Sequence, residues 1–272
     1  MTDKYGVFGN PIGHSKSPLI HAAFARQTGQ DIVYRAILAP VDGFRGALEA
    51  FIAEGGKGAN VTVPFKEEAY RLATRLTPRA EQANAVNTFI FREDGIIGDN
   101  TDGVGLLRDI TLGLDTPIRG KRLLLLGAGG AARGVLGPLL GKRPASLTIA
   151  NRTAARARVL AERFAAAGPV EGGGYEALAG RQFDIVIDAT SASLGDAMPA
   201  LPPGLFAPGS LAYGMMYGQD DAPFHVFARK EGAGRVADGL GMLLEQAAES
   251  FFIWRGVRPD GAPVAEILRK TR

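Results

Sequence analysis

The sequence predicts an α/β protein of two domains. Three observations carry that expectation. The chain has 272 residues, enough for two domains of ordinary size. Strand-like and helix-like segments alternate through both halves, as in layered α/β folds. The second half opens on LLLLGAGGAARG, an apolar run that meets a glycine-rich turn and then a helical pattern.

In the first half, YGVFG (5–9) reads as a buried strand ending in a Gly-Asn-Pro turn. Residues 18–28 carry Leu19, Ala22, Ala23 and Arg26 at helical spacings, and DIVYRAIL (31–38) is β-branched and aromatic, a second strand. Residues 41–53 are helix-periodic and stop at Gly-Gly. GANVTVPFK (58–66) is a strand stopped by Pro64, and 67–76 a helix. This alternation predicts a parallel-type layer. Residues 84–102 read as a hairpin, FIF and II joined by an Asp-Gly turn. A helix follows Gly103 to about residue 111, and the domain hinge is expected near 102–104.

The second half continues with LLLLG (123–127), a helix from 130, SLTIA (146–150), a helix from 153, DIVIDA (184–189) and SLAYGM (210–215). Its runs are nearly continuous in apolar residues, the pattern of parallel strands buried on both faces. RPASL and AAAGPVEGGG read as turns. GLGMLLEQAAESFFIWRG (239–256) is a long helix ended by Gly256 and Pro259.

Composition narrows the function classes. There is no cysteine, so disulfides and thiolate metal sites are excluded. Lys and Arg number 31 against 28 Asp and Glu, dispersed along the chain, whereas a nucleic-acid binder would cluster them. Three histidines without a nearby carboxylate cluster argue against a metal site. No apolar run is long enough to span a bilayer, and the N-terminus carries no export signal. The expectation is a cytoplasmic protein acting on a small molecule, without nucleic acid or membrane as partner, as a monomer or homodimer.

The glycine-rich turn has the strand-before, helix-after context of a dinucleotide fingerprint. Gly127 allows the tight turn, and Gly129 lets the backbone approach a pyrophosphate seated on helix N–H groups. Ala128, Gly130 and Ala131 complete that loop, and Ala132 takes the third small position. An NAD-binding unit wants a carboxylate at the end of the next strand. This chain has Asn151, Arg152 and Thr153 there, and the first acid is Glu162. Arg152 can hold a 2′-phosphate, with Arg156 or Arg158 one helical turn on. The expected cofactor is therefore NADP.

NPIGHSKSPLIH raises a separate question. Ser17 ahead of Pro18 suits a helix cap. Ser15 and Ser17, two residues apart on an extended segment, would equally face a hydroxylated ligand together.

With ANVTVPFK, NAVNT, GDNTDG, GAGGAARGV, NRT and DGLGMLLEQAA in the same order, the chain resembles the shikimate dehydrogenases from about Tyr5 to beyond Arg258. The resemblance implies a substrate-binding domain over 1–102, completed by helices in 239–272, and a Rossmann-type NADP-binding domain over 103–238, with the active site in the cleft between them. It assigns Ser15 and Ser17 to substrate hydroxyl and carboxylate groups. Thr62, Asn87 and Asp102 would hold the ring hydroxyls, with Asn60 beside them. Lys66 matches the catalytic lysine, with Asp102 as its partner. Gln246 would reach the substrate from the last long helix. Met215, Tyr217 and Gly239 fall at positions near nicotinamide and substrate. Two departures stand out: Tyr213-Gly214 where the family often has Tyr-Asp, and Ala222 where Thr often precedes Pro-Phe. SASLG (191–195) is also loose against the family's usual turn.

The implied reaction is reversible NADPH-dependent reduction of 3-dehydroshikimate to shikimate, on the way to chorismate and the aromatic amino acids. Lys66 would supply the proton to the developing alkoxide, oriented by Asp102, and no metal is needed. The rival expectations are a quinate/shikimate dehydrogenase of broader specificity and a non-catalytic NADP sensor.

Overall fold

The computed structural model describes residues 2–190, 200–218 and 222–270. The chain divides into two compact units, one formed by Met1–Gly105 with Leu243–Arg272 and the other by Leu106–Met242.

The first unit begins with β1 (Asp3–Gly9), α1 (Ser17–Thr28), β2 (Ile32–Leu38), α2 (Phe44–Ala53), β3 (Gly56–Val61), α3 (Lys66–Leu72), β4 (Arg75–Leu76), α4 (Pro78–Ala83), β5 (Thr88–Arg92) and β6 (Gly95–Asp99). Its six strands lie in the order β2-β1-β3-β5-β6-β4. β1 is parallel to β2 and β3, but β5 is antiparallel to β3 and β6. The parallel layer expected from the first half is β2-β1-β3, and the expected hairpin of β5 and β6 extends it into a mixed sheet. In that hairpin Arg92 pairs with Gly95, so a two-residue loop at Glu93-Asp94 turns β5 straight back as β6. The expected helix over 67–76 also stops early. Thr74 donates its N–H to the carbonyl of Ile96 at 2.8 Å, which commits the chain to β4 beside β6. Phe8, Phe44, Phe51, Phe65 and Phe89 are almost wholly buried and anchor the core on one sheet face.

The second unit runs from within α5 (Asp102–Arg108) through a π-helical turn (Asp109–Gly113) to β7 (Arg122–Leu126), α6 (Gly130–Gly141), β8 (Ser146–Ala150), α7 (Ala154–Phe164), β9 (Val170–Gly173), β10 (Phe183–Asp188), β11 (Phe206–Gly214), α8 (Pro223–Lys230) and β12 (Arg235–Ala237). All its strands pair in parallel, in the order β12-β11-β10-β7-β8-β9. The four-leucine run shows why the strand is continuous in apolar residues. Leu123 and Leu125 enter the core on one face, with Ile185, Ile187, Leu147 and Ile149. Leu124 and Leu126 enter the core on the other, with Val186 and Ala212. Period two thus serves two cores.

The chain then re-enters the first unit along α9 (Leu240–Arg255), followed by α10 (Ala262–Lys270). The α9 residue Trp254 stacks on Tyr5, ring centroids 4.7 Å apart, and donates to the carbonyl of Phe89 at 3.0 Å.

Candidate active site

The first unit gathers most of the expected substrate residues into one polar network. Lys66, first residue of α3, and Asp102, first residue of α5, are brought together by the sheet. Lys66 Nζ donates to Asp102 Oδ2 at 2.6 Å. The carboxylate is nearly buried, its side chain 11% exposed, while the lysine keeps 31%, so the pair is open on the lysine side. Asn87 Nδ2 donates to the other carboxylate oxygen at 2.8 Å and to Thr101 Oγ1 at 3.0 Å. Asn87 Oδ1 accepts from the Thr101 N–H at 2.9 Å. Its carboxamide is thereby saturated and fixed.

Asn60 at the end of β3 accepts from the Tyr34 hydroxyl at 2.8 Å. It donates to the Asn87 carbonyl at 3.1 Å and to Ser250 Oγ at 3.0 Å. Gln246, one turn before Ser250 on α9, accepts from Thr101 Oγ1 at 3.4 Å. One network thus joins β3, the β5 and β6 ends and α9. Thr62 follows β3 directly, its N–H bonded to the carbonyl of Phe8 at 2.9 Å. Tyr34, Thr101 and Ser250 belong to this network although the sequence did not single them out. Ser250 was within reach, since it lies four residues from Gln246 and so on the same helix face.

The opening serines differ from the capping expectation. Lys16 is the N-cap of α1, and Ser17 is already its first helical residue. Ser15 Oγ accepts from the Ser17 N–H at 3.3 Å. Ser17 is buried and Ser15 half-buried. Beneath them on α1, His21 is fully buried and stacked on Tyr34 at 4.1 Å with the rings 6° from parallel. Burial lowers His21 to about 3, with Asn60 opposing, so the imidazole is neutral. Burial also raises the Tyr34 phenol well above its ordinary value, with the Ser17 hydroxyl opposing, which leaves the phenol a hydrogen-bond donor.

Below the Asp102 turn lies a second ionic cluster. Arg79 Nε and Nη2 donate to Asp99 at 2.6 and 2.7 Å, and Nη1 donates to Glu249 at 3.0 Å. Arg258 also pairs with Glu249. Burial pushes the Asp99 carboxyl up, but the Arg79 guanidinium outweighs it and holds the carboxyl below its ordinary value. Glu249 is likewise held down, by Arg258 and Arg79 against burial.

The second unit holds the residues expected at a dinucleotide. Gly127 has φ 102°, which only glycine adopts without strain, and a side chain there would meet the Ala189 carbonyl at 3.0 Å. Gly129 caps α6, and a side chain on it would meet nothing within 4 Å: the space above the helix start is open. Ala128 is half-buried, and Gly130 and Ala131 are exposed. Asn151 Nδ2 donates to the Thr153 carbonyl at 3.0 Å, holding the turn after β8. Arg152, Thr153, Arg156 and Arg158 are all exposed. A tight glycine turn, an open helix start and exposed arginines after β8 fit a phosphate-bearing dinucleotide.

Met215 donates its N–H to the Asp188 carbonyl at 3.0 Å. Gly239 donates to the Met216 carbonyl at 2.8 Å, and a Cβ there would lie 2.1 Å from the Met215 carbonyl oxygen. Gly239 is therefore a packing requirement of this turn. Tyr217 is half-buried, its phenol raised by burial. At Gly214, a Cβ would lie 2.5 Å from His225 Nε2, so a buried histidine fills the space beside this glycine. Ala222 is the N-cap of α8 without a side-chain cap bond. SASLG (191–195) lies outside the described residues. Among the described residues no group of three or more His, Asp or Glu is placed to hold a metal ion, and no helix is long and apolar enough to cross a membrane.

A family described as shikimate dehydrogenase substrate binding domain matches residues 7–89. One described as shikimate / quinate 5-dehydrogenase matches 113–195, and one described as shikimate 5'-dehydrogenase C-terminal domain matches 239–269. The NADP(+) shikimate dehydrogenase of Dechloromonas aromatica is 63% identical over 269 residues, 99% of this chain and 98% of that protein. The chain belongs to the shikimate dehydrogenase family. Among solved structures of similar proteins, an Ael1 enzyme from Pseudomonas putida has a TM-score of 0.93 at 48% identity, with 98% of both chains covered. The shikimate 5-dehydrogenase of Thermus thermophilus, solved with NADP(H) and shikimate, has a TM-score of 0.88 at 30% identity, with both chains fully covered.

Proposed function

We infer that the chain catalyses the reversible NADPH-dependent reduction of 3-dehydroshikimate to shikimate, a step of aromatic biosynthesis. The Lys66–Asp102 pair carries this reading: an ammonium open to a ligand on one side and fixed by a buried carboxylate on the other. The unit Met1–Gly105 with Leu243–Arg272 takes the substrate, and Leu106–Met242 takes NADP. Gly127, Ala128, Gly129, Gly130 and Ala131 would hold the pyrophosphate, and Asn151, Arg152, Thr153 and Arg156 the phosphorylated ribose. Met215 and Gly239 would lie at the nicotinamide end. Ser15, Ser17, Asn60, Thr62, Asn87, Asp102, Tyr217 and Gln246 would hold the substrate.

Bound NADPH supplies the hydride to the ring ketone. Lys66 Nζ gives a proton to the carbonyl oxygen as it becomes an alcohol, and takes it back in the oxidation of shikimate. As negative charge grows on that oxygen, the nearby ammonium stabilises it. Asp102 accepts from both Lys66 and Asn87, so the carboxylate that orients the ammonium is itself held in place. The chain is taken to work in the cytoplasm as a monomer or homodimer, with neither nucleic acid nor membrane as partner.

The test is NADP reduction with shikimate and with quinate side by side, in the parent and in Lys66→Ala. Turnover with shikimate should fall about 10²–10⁴-fold in the variant, the usual worth of a positioned acid/base group. The Michaelis constant should move less, because the contact matters most in the transition state. No turnover with either acid would refute the enzyme reading in favour of an NADP sensor, and equal efficiency with quinate would broaden the specificity.

A further inference from the structure

Asn100 links the backbones that carry the two members of the proton-handling pair. It lies in the turn after β6 and is only 3% exposed. Its Oδ1 accepts the Asp102 N–H at 3.1 Å, which fixes the backbone that presents the carboxylate. Its Nδ2 donates to the Ala85 carbonyl at 3.1 Å. The next residue, Val86, donates its N–H to the carbonyl of Lys66 itself at 2.9 Å. One carboxamide therefore ties the Asp102 backbone to the segment between α4 and β5 that holds the Lys66 backbone.

Asn100 is in turn fixed from below. Its N–H bonds Asp99 Oδ1 at 2.7 Å, and that carboxylate is held by Thr77 Oγ1 at 2.6 Å and by the two Arg79 contacts. Asp99 and Asp102 are both buried carboxylates three residues apart. Arg79 neutralises the first, so Lys66 is left to the second.

From this geometry we propose that Asn100 is a positioning residue for the reaction, setting where Asp102 stands relative to Lys66 without touching substrate. The proposal rests on the role given to Lys66 above. Misplacing a catalytic group by about 1 Å can cost on the order of 100-fold. Asn100→Ala should lower kcat roughly 10- to 100-fold.

The deciding measurement is a double-mutant cycle. In a Lys66→Ala background, Asn100→Ala should cost kcat less than about threefold, because the pair it positions is already gone. A residue that merely holds the fold would lower kcat by the same factor in both backgrounds, and that result would overturn the proposal. Should Asn100→Ala not fold, Asn100→Asp keeps the shape but loses the donor to Ala85. It is predicted to show the same background-dependent loss, and a loss of equal size in both backgrounds would again overturn it. Near-normal turnover in Lys66→Ala alone would remove the Lys66 role and the proposal with it. Low turnover in Lys66→Ala beside normal turnover in Asn100→Ala would remove only the proposal.

Discussion

The buried His21 makes stability depend on pH in a calculable way. Its pKa is lowered from 6.5 to about 3 by burial. Between those values the unfolded chain binds a proton that the folded chain does not, so stability falls as pH drops below about 6.5. Integrating the linkage between pH 7 and pH 5 gives a loss of about 2 kcal/mol from this one residue. His21→Phe removes the titrating group and keeps an aromatic ring against Tyr34. Any packing cost of the larger ring is the same at both pH values and cancels in the difference. The carboxylates Asp99 and Glu249 do not interfere. Their folded values are depressed, so their contribution is lost only as pH falls below their ordinary values of 3.8 and 4.5. The chain has one tryptophan, Trp254, whose ring lies 5.5 Å from that of His21. Its fluorescence therefore reports the unfolding of the same cluster in urea. The parent should lose about 2 kcal/mol more than His21→Phe between pH 7 and pH 5. An equal loss in both proteins would mean that His21 is protonated in the folded state, and the neutral, stacked imidazole would be wrong.

Two further outcomes follow from the sites. Ser15→Ala and Ser17→Ala should each raise the Michaelis constant for shikimate while NADP affinity holds. Because Lys16 rather than Ser17 caps α1, the melting temperature should move less than the loss of a cap, about 1 kcal/mol, would require. Unchanged shikimate kinetics in both variants would return these serines to a purely structural role. Arg152→Ala should weaken NADP roughly ten- to a hundredfold and leave NAD nearly untouched, with the penalty shrinking in high salt. If the ratio of efficiencies with NADP and NAD does not move, another arginine reads the phosphate, and Arg156 is the next to replace.

The parts of the fold legible in the sequence were those buried on a regular period. LLLLG, SLTIA and DIVIDA announce themselves because each apolar residue feeds one of two cores. β9 and β12 did not. VEGG reads as a turn, yet it is an edge strand. A Cβ on Gly172 would lie 2.2 Å from the Ala157 carbonyl, so this glycine is there to let the α7 backbone close on the strand. RVA is three residues long at the opposite edge, too short for any period to show. The hairpin of FIF and II was legible in its Asp-Gly turn, whereas its antiparallel docking against β3 had no local signal, because the apolar pattern of FIF suits either direction.

At the site, residue identities were legible and their coupling was not. Lys66, Asn87, Asp102 and Gln246 sit in recognisable stretches, but nothing local says that Asn100 joins Ala85 to Asp102, or that Arg79 takes Asp99. Those links cross from one strand end to another and carry no spacing rule. Their chemistry still has a logic. Asn60, Asn87 and Asn100 are buried around one ion pair, and each donates and accepts through a neutral group. A carboxylate in place of Asn87 would set a second negative charge against Asp102, and a hydroxyl in place of Asn100 could not span from the Ala85 carbonyl to the Asp102 N–H. The carboxamide is the side chain that fixes geometry on both sides while adding no charge beside the Lys66–Asp102 pair.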